Sequence, residues 1–289
     1  MNNPAFPPSS AHDDVERTFA SELIRNATVE LTSADINDLG HARDLLPLGT
    51  KIFLPDGLGS TAEKLDAIAT VKELGFDPVP HLALSRWLSE SDLRDFLMTA
   101  TSDHGVHRVH LLGSPADPGD TTRFLAANIL GGTGVRAVTL RGYPEGNPGA
   151  DPKDNQQELA ESMQQAAAQG LGIDIVTQYS FAPSRTLEFC ARLERVAPDV
   201  NQYIAIAGPS TDKELQTYAQ AHHISTSLRG LDRFGAKAVS EHCHPSADEQ
   251  LHYFARHCAT LGPGNIFGMH LLCPGGFLGA ARWLNQHLS

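Results

Sequence analysis

The chain has 289 residues and a formal net charge of −12, with 41% hydrophobic and 19% charged residues. This hydrophobic share supports a sizeable core and argues against a disordered chain. The acidic balance, without a lysine–arginine cluster, excludes duplex binding. No window approaches the roughly 18 apolar residues of a membrane span. The first residues show no signal peptide, so we expect a cytoplasmic protein whose four cysteines are free thiols.

In chain order, a loose tail over residues 1–12 is predicted to precede one domain over residues 13–289. An extra helix running from Asp13 to about Arg25 opens that domain. Short apolar runs then alternate with helical patterns. The predicted strands are Ala27–Leu31, Lys51–Leu54, Pro78–Leu84, Arg108–Leu112, Val135–Leu140, Ile173–Gln178, Tyr203–Ala207 and Ile266–Leu271. Helices are predicted to begin near Ser60, Ser89, Asn155, Pro183, Thr211, Ser227, Ala247 and Gly276.

This alternation predicts a parallel α/β fold, and eight strands are the number of a TIM barrel. An open, doubly wound sheet would normally carry a G-x-G-x-x-G loop after the first strand, and no glycine loop follows Thr28–Thr32. We therefore predict a single-domain (β/α)8 TIM barrel with an N-terminal extra helix.

In a barrel, functional side chains gather at the carboxyl ends of the strands. Glu30 ends the first predicted strand among apolar residues. A carboxyl group in an apolar pocket has a raised pKa, which suits a general acid. The alternative is a structural carboxylate paired with an arginine or with backbone amides.

Other strand ends offer groups for binding. His81 points either into the barrel mouth or into the core, and Tyr143 can stack on a planar ring or pack at the rim. The amide of Gln178 can make two directional hydrogen bonds to a pterin or flavin ring. His107 and His110 fall on opposite faces of a strand, and no histidine spacing matches a zinc motif, so no metal is predicted.

At these strand ends the sequence resembles the methylenetetrahydrofolate reductase family. Thr28–Glu30 looks like that family's first-strand glutamate motif, and Pro80–Leu82 matches its P-H-L. Gly142–Pro148 resembles its Y-P-E-x-H-P segment with Asn147 in the histidine place, and Thr177–Phe181 resembles its T-Q-x-x-F. The resemblance is dispersed but ordered, and it spans Ala27 to Leu284.

The resemblance implies a cytoplasmic oxidoreductase of one-carbon metabolism. It would interconvert 5,10-methylenetetrahydrofolate and 5-methyltetrahydrofolate, with NAD(P)H and FAD. It implies that Glu30 assists ring opening by protonation. It also implies substrate contacts from Gln178, Tyr179 and Ser114, and flavin contacts from the set His81, Arg141, Tyr143 and Asn147.

The sequence differs from the family at positions that contact the flavin in that family. The family's R-G-D after strand four is replaced by Leu112–Ser114, and the helix-five cations that meet the cofactor phosphates are replaced by Ser162–Ala166. FAD binding therefore stays open. The alternatives are a diverged flavoprotein that uses Arg141, Lys153 or backbone amides, a flavin-free folate enzyme, or a silent folate-binding homologue. Reaction direction and oligomeric state, including a homo-oligomer, also stay open.

Overall fold

The computed structural model describes residues 10–83, 87, 89–113, 119–146, 152–222, 224 and 246–288. Eight parallel strands form a closed barrel in sequence order, with the first strand paired to the eighth. The strands are β1 Thr28–Glu30, β2 Lys51–Leu54, β3 Asp77–Ala83, β4 Arg108–Leu112, β5 Ala137–Gly142, β6 Gly172–Thr177, β7 Asn201–Ala207 and β8 Ile266–Leu272. The predicted single-domain (β/α)8 TIM barrel is confirmed.

Helices cover the outside of the barrel. They are α1 Ser10–Arg25, α2 Thr61–Glu73, α3 Glu90–His104, α4 Asp120–Ala126, α5 Pro152–Ala168, α6 Pro183–Val196, α7 Asp212–Ala221, α8 Ala247–Leu261 and α9 Phe277–Leu288. The predicted extra helix α1 precedes β1 and packs on α8 and β8, and it begins at Ser10 rather than Asp13. Residues 1–9 of the predicted tail and the helix predicted from Ser227 lie outside the described residues.

Local hydrogen bonds explain where several helices begin. The Ser60 hydroxyl accepts from the backbone N–H of Glu63, whose carboxylate accepts from the Ser60 backbone. Ser246 and Glu249 form the same reciprocal box at the start of α8. Such boxes satisfy two of the backbone donors that a helix start leaves unpaired. None of the helices in the described ranges has the length and apolarity needed to cross a membrane.

The barrel closes between β8 and β1 through a tight contact. A Cβ atom at Gly268 would lie 2.6 Å from the backbone oxygen of Asn26, so only glycine fits there. The Asn26 side chain also donates to the backbone oxygen of Phe267, at 3.0 Å. This contact fixes the register of the two strands, which pairs Thr28 with His270.

Side chains fill the interior of the barrel below its carboxyl end. Near the amino end, Asp174 lies 2.9 Å from Arg108 and 4.0 Å from Lys51. The next layer is an apolar cluster of Phe53, Val79, Val176 and Tyr203. Because these layers plug the barrel from below, a ligand can reach the interior only from the carboxyl ends of the strands.

Candidate functional site

Glu30 lies at the end of β1 and points into the barrel mouth. Val29, which lies between Thr28 and Glu30 on β1, faces outward and is fully buried, as strand alternation requires. One carboxylate oxygen, Oε2, lies 3.0 Å from Nε2 of His270 and 3.7 Å from Nε2 of His81. The Glu30 side chain is 21% exposed, so one side of the carboxylate remains open to a ligand.

Thr28 orients the imidazole of His270. The Thr28 hydroxyl lies 2.7 Å from Nδ1 of His270, while Nε2 faces Glu30. A hydroxyl can donate or accept, so this contact holds the ring whether Nδ1 carries a proton or a lone pair. Thr28, His270 and Glu30 therefore form a continuous hydrogen-bonded chain that ends at the open side of Glu30.

Phe53 is the member of the apolar layer that contacts the histidines above it. Its ring meets the rings of His81, His110 and His270 edge to face, with centroid distances of 5.9, 5.5 and 4.6 Å. The rings of His81 and His110 lie 4.8 Å apart. These contacts fix three imidazoles as the floor of the mouth, with Glu30 above them.

The expectation that Glu30 sits in an apolar pocket with a raised pKa is wrong. Burial alone would raise the pKa of Glu30, but the hydrogen bond with His270 and electrostatic interactions with His81, His270 and Arg141 outweigh it. The pKa is therefore held well below its ordinary value of 4.5, and Glu30 is a carboxylate at neutral pH.

His81 and His110 are neutral at physiological pH. Burial lowers the pKa of His81 to about 4, although the nearby Glu30 carboxylate acts in the opposite direction. Burial likewise holds the pKa of His110 well below its ordinary value. A neutral imidazole can accept a hydrogen bond. His81 thus belongs to the mouth, the first of its two predicted positions.

Arg141 supplies a positive charge to the same mouth. Burial alone would lower the pKa of Arg141, but Tyr143, Tyr218 and Glu30 raise it above its ordinary value. Its guanidinium carbon lies 5.8 Å from the ring centre of Tyr143, and burial raises the pKa of that phenol. Arg141 and Tyr143 therefore form one unit at the end of β5, and Arg141 interacts electrostatically with the Glu30 carboxylate.

Within the part of the chain that the structure describes, four buried polar atoms around the mouth are found without a hydrogen-bond partner. They are Oε1 of Gln178, Nδ1 of His110, Oγ1 of Thr139 and Nε2 of His81. Gln178 follows β6 directly and is only 2% exposed. Leaving such groups unpaired costs about 1–3 kcal/mol each, so we expect a polar ligand or bound water to satisfy them.

Tyr179 is buried against neighbouring side chains. It is 1% exposed, packs against Phe181 with ring centres 5.0 Å apart, and accepts a hydrogen bond from Gln250 at 3.5 Å. These contacts give Tyr179 partners within the protein, and its predicted contact with the substrate stays a prediction. The predicted contacts Ser114 and Asn147 lie outside the described residues.

Sequence reasoning missed three members of the site. From the sequence, His110 is weighed only as a metal ligand, and no role is assigned to His270 on β8 or to Tyr218 on α7. Tyr218 packs at the rim near Tyr179 and Phe181. The only sequence signal for His270 is its place near the end of the last strand, which in a closed barrel neighbours the first. Within the described ranges, no group of three or more His, Cys, Asp or Glu side chains could hold a metal ion.

Comparisons with known proteins add only distant likenesses. No protein-family model matches the sequence. An uncharacterized B. cereus protein is 12% identical to this chain, with a TM-score of 0.47. The match covers 91% of this chain and 64% of the B. cereus protein. Muconate lactonizing enzyme from Pseudomonas putida is 17% identical and muconate cycloisomerase from Pseudomonas fluorescens is 14% identical. Both have TM-scores of 0.34 and cover 53% of this chain and 46% of theirs. The chain thus spans less than two thirds of these proteins, and the scores carry no argument about substrate.

Proposed function

We propose that this protein interconverts 5,10-methylenetetrahydrofolate and 5-methyltetrahydrofolate, with hydride exchanged directly with a nicotinamide dinucleotide. The observation that carries the proposal is the pairing of Glu30 with His270 at the open mouth, together with the unpartnered Oε1 of Gln178. A reduced pterin carries N–H donors that suit carboxylate, amide and neutral imidazole acceptors. The sequence resemblance assigns Glu30 and Gln178 to that ligand.

The proposed reaction in the reducing direction is balanced by one hydride and one proton. The bond between the bridging methylene carbon and N10 breaks, and N10 takes the proton. The iminium left on N5 accepts the hydride and becomes the methyl group, while the dihydronicotinamide is oxidised. The protein must supply the proton and hold the two substrates in contact.

Because Glu30 carries no proton at neutral pH, we propose that the proton reaches N10 from His270, its hydrogen-bond partner, through Glu30. When both ring nitrogens of His270 are protonated, Glu30 can take the Nε2 proton and pass it to N10. The neutral imidazole then keeps its Nδ1 proton, which it donates to the Thr28 hydroxyl. Glu30 is therefore proposed as the group that touches the substrate, and His270 as its proton source.

The cavity lined by Arg141, Tyr143 and Glu158 does not fit the diphosphate of FAD. Burial, followed by the carboxylates of Glu158 and Asp120, raises the pKa of Tyr143, so these acidic groups lower the electrostatic potential beside it. This cavity measures about 30 Å³, close to the volume of one water molecule. The two ends of the stretch that replaces the family's cations, Ser162 and Ala166, are themselves buried.

Spectroscopy and turnover of the purified protein test this proposal. We expect a protein without flavin absorption bands that binds 5-methyltetrahydrofolate and oxidises NADH or NADPH only when 5,10-methylenetetrahydrofolate is present. Stoichiometric flavin bands would show that hydride passes through FAD. Folate binding without turnover would indicate a silent homologue, and no folate binding would overturn the proposal.

Gln178→Ala is expected to weaken binding of 5-methyltetrahydrofolate about tenfold. The substitution removes an amide that can make two hydrogen bonds to the pterin, and a net loss of about 1.4 kcal/mol corresponds to this factor. Titration calorimetry measures the change. The matched control is Gln286→Ala, because Gln286 is exposed near the end of α9. Unchanged affinity in Gln178→Ala would remove this residue from the folate site.

A further inference from the structure

A groove between α5 and α6 lies beside the end of β5, outside the mouth described above. Its cavity measures about 200 Å³, and we call it the α5–α6 groove. Its lining includes Tyr143, Glu145, Asn155, Arg185, Phe189 and Arg192. The volume suits one polar segment of a ligand rather than a whole dinucleotide, since complete ligand pockets usually exceed about 300 Å³.

Asn155 indicates that the groove is built for a polar ligand. Its side chain is 9% exposed, and neither Oδ1 nor Nδ2 has a hydrogen-bond partner among the described residues. Buried amides are normally paired on both atoms, so this one offers an unused donor and an unused acceptor. Both are available to a ligand in the groove.

The charge of the groove favours an anion. Arg185 and Arg192 lie seven residues apart on α6, which places them on one face about 10 Å apart along the helix. Among the residues that the structure describes, neither forms an ion pair. Two guanidinium groups thus line one cavity in a chain of net charge −12. They contrast with the carboxylates Asp120 and Glu158 on the other side of Tyr143.

The groove adjoins the mouth through shared residues. Tyr143 and Asn155 line both the groove and the small cavity that contains Arg141. Arg141 in turn acts electrostatically on Glu30. The groove therefore shares lining residues with the surroundings of Arg141, the group of the mouth that lies nearest to it along β5.

We propose that the α5–α6 groove binds the diphosphate segment of the nicotinamide dinucleotide, whose nicotinamide end enters the mouth. This inference rests on the proposed function, which requires folate and dinucleotide at the mouth together. Arginine pairs with phosphate oxygens through two parallel hydrogen bonds. The buried carboxylate of Glu145, which accepts from the Ser180 hydroxyl, can also accept from a ribose hydroxyl.

Binding of ADP-ribose, NADH and NADPH tests the groove directly. ADP-ribose carries the diphosphate without nicotinamide, so its affinity does not depend on the mouth. In the double variant Arg185→Gln/Arg192→Gln, we expect ADP-ribose and NADH to bind at least about 30-fold more weakly, through loss of charge-assisted bonds. Affinity for 5-methyltetrahydrofolate should stay within about twofold. Asn155→Leu should weaken ADP-ribose about tenfold.

The control is Arg195→Gln/Arg282→Gln, which removes the same charge from exposed positions outside the groove. Equal weakening in the control, or unchanged nucleotide affinity in the groove variants, would overturn the proposed site. ADP-ribose binding that needs Arg185 and Arg192, in a protein without folate affinity, would support the groove while rejecting the folate reaction. Folate turnover in a protein whose groove variant keeps its nucleotide affinity would support the folate reaction and reject the groove.

Discussion

Glu30→Gln is expected to lower the turnover number for methylenetetrahydrofolate reduction by at least about 100-fold, the usual contribution of a positioned proton donor. Glutamine keeps the size of the side chain and an oxygen that can accept from Nε2 of His270. It cannot take up a proton and pass it on. The dissociation constant of 5-methyltetrahydrofolate should change less than about threefold, because the shape of the mouth is preserved. Stopped-flow oxidation of NADH and folate titration measure the two quantities.

The matched control is Glu194→Gln near the end of α6. The Glu194 carboxylate lies beside Gly264, at the opposite end of the barrel from Glu30. This variant should retain the wild-type turnover number. If Glu30→Gln turned over as fast as Glu194→Gln, Glu30 would have no part in proton transfer, and its pairing with His270 would be structural only.

The barrel could be predicted because its signals are local. Each strand is a short apolar run, and helix starts such as Ser60 and Ser246 carry their capping partners three residues later. Two elements that lack such a local signal were not predicted. The 3₁₀ helix Ser33–Ala42 and the short α4 lack the long apolar periodicity by which a helix is recognised.

The environment of Glu30 could not be predicted, because it is set by residues distant in sequence. The neighbours Val29 and Leu31 are apolar, but both are buried and neither pairs with the carboxylate. Its nearest polar neighbours, His81 and His270, come from β3 and β8. Only closure of the barrel brings β8 beside β1, so sequence proximity gave the wrong sign for the pKa shift.

The same limit applies to the histidines as a group. Spacing within one strand placed His107 and His110 on opposite faces, which argued against a shared site. The contacts that matter run between strands, since His81 is paired with His110 in register. A register of this kind follows from packing of the whole sheet and is not encoded in any single segment.

His270→Phe is expected to lower the free energy of unfolding at pH 7 by about 3 kcal/mol. Phenylalanine fills the space of the imidazole but leaves Glu30 without its hydrogen-bond partner. Breaking a buried pair typically costs about 3–5 kcal/mol, and the 21% exposure of Glu30 places the expected loss at the lower end. Urea unfolding of both proteins measures the difference.

The pH dependence of this loss identifies its cause. In the wild type, the pKa of folded Glu30 is lowered, so its contribution to stability is complete above about pH 4.5 and is lost as the pH falls through the folded pKa. Without His270, the effect of burial is opposed by fewer groups and the pKa of Glu30 rises. The variant therefore binds a proton at a higher pH than the wild type does, and the difference in stability should shrink on acidification.

A double-mutant cycle with Glu30→Gln separates this charge effect from simple loss of packing. Once Glu30 is neutral, no uncompensated carboxylate remains, and His270→Phe should cost clearly less than it does in the wild-type background. An equal cost in both backgrounds, constant from pH 7 to pH 4, would show that His270 stabilises the barrel through its ring contact with Phe53 alone. The proposed proton path through Thr28, His270 and Glu30 would then lose its energetic basis.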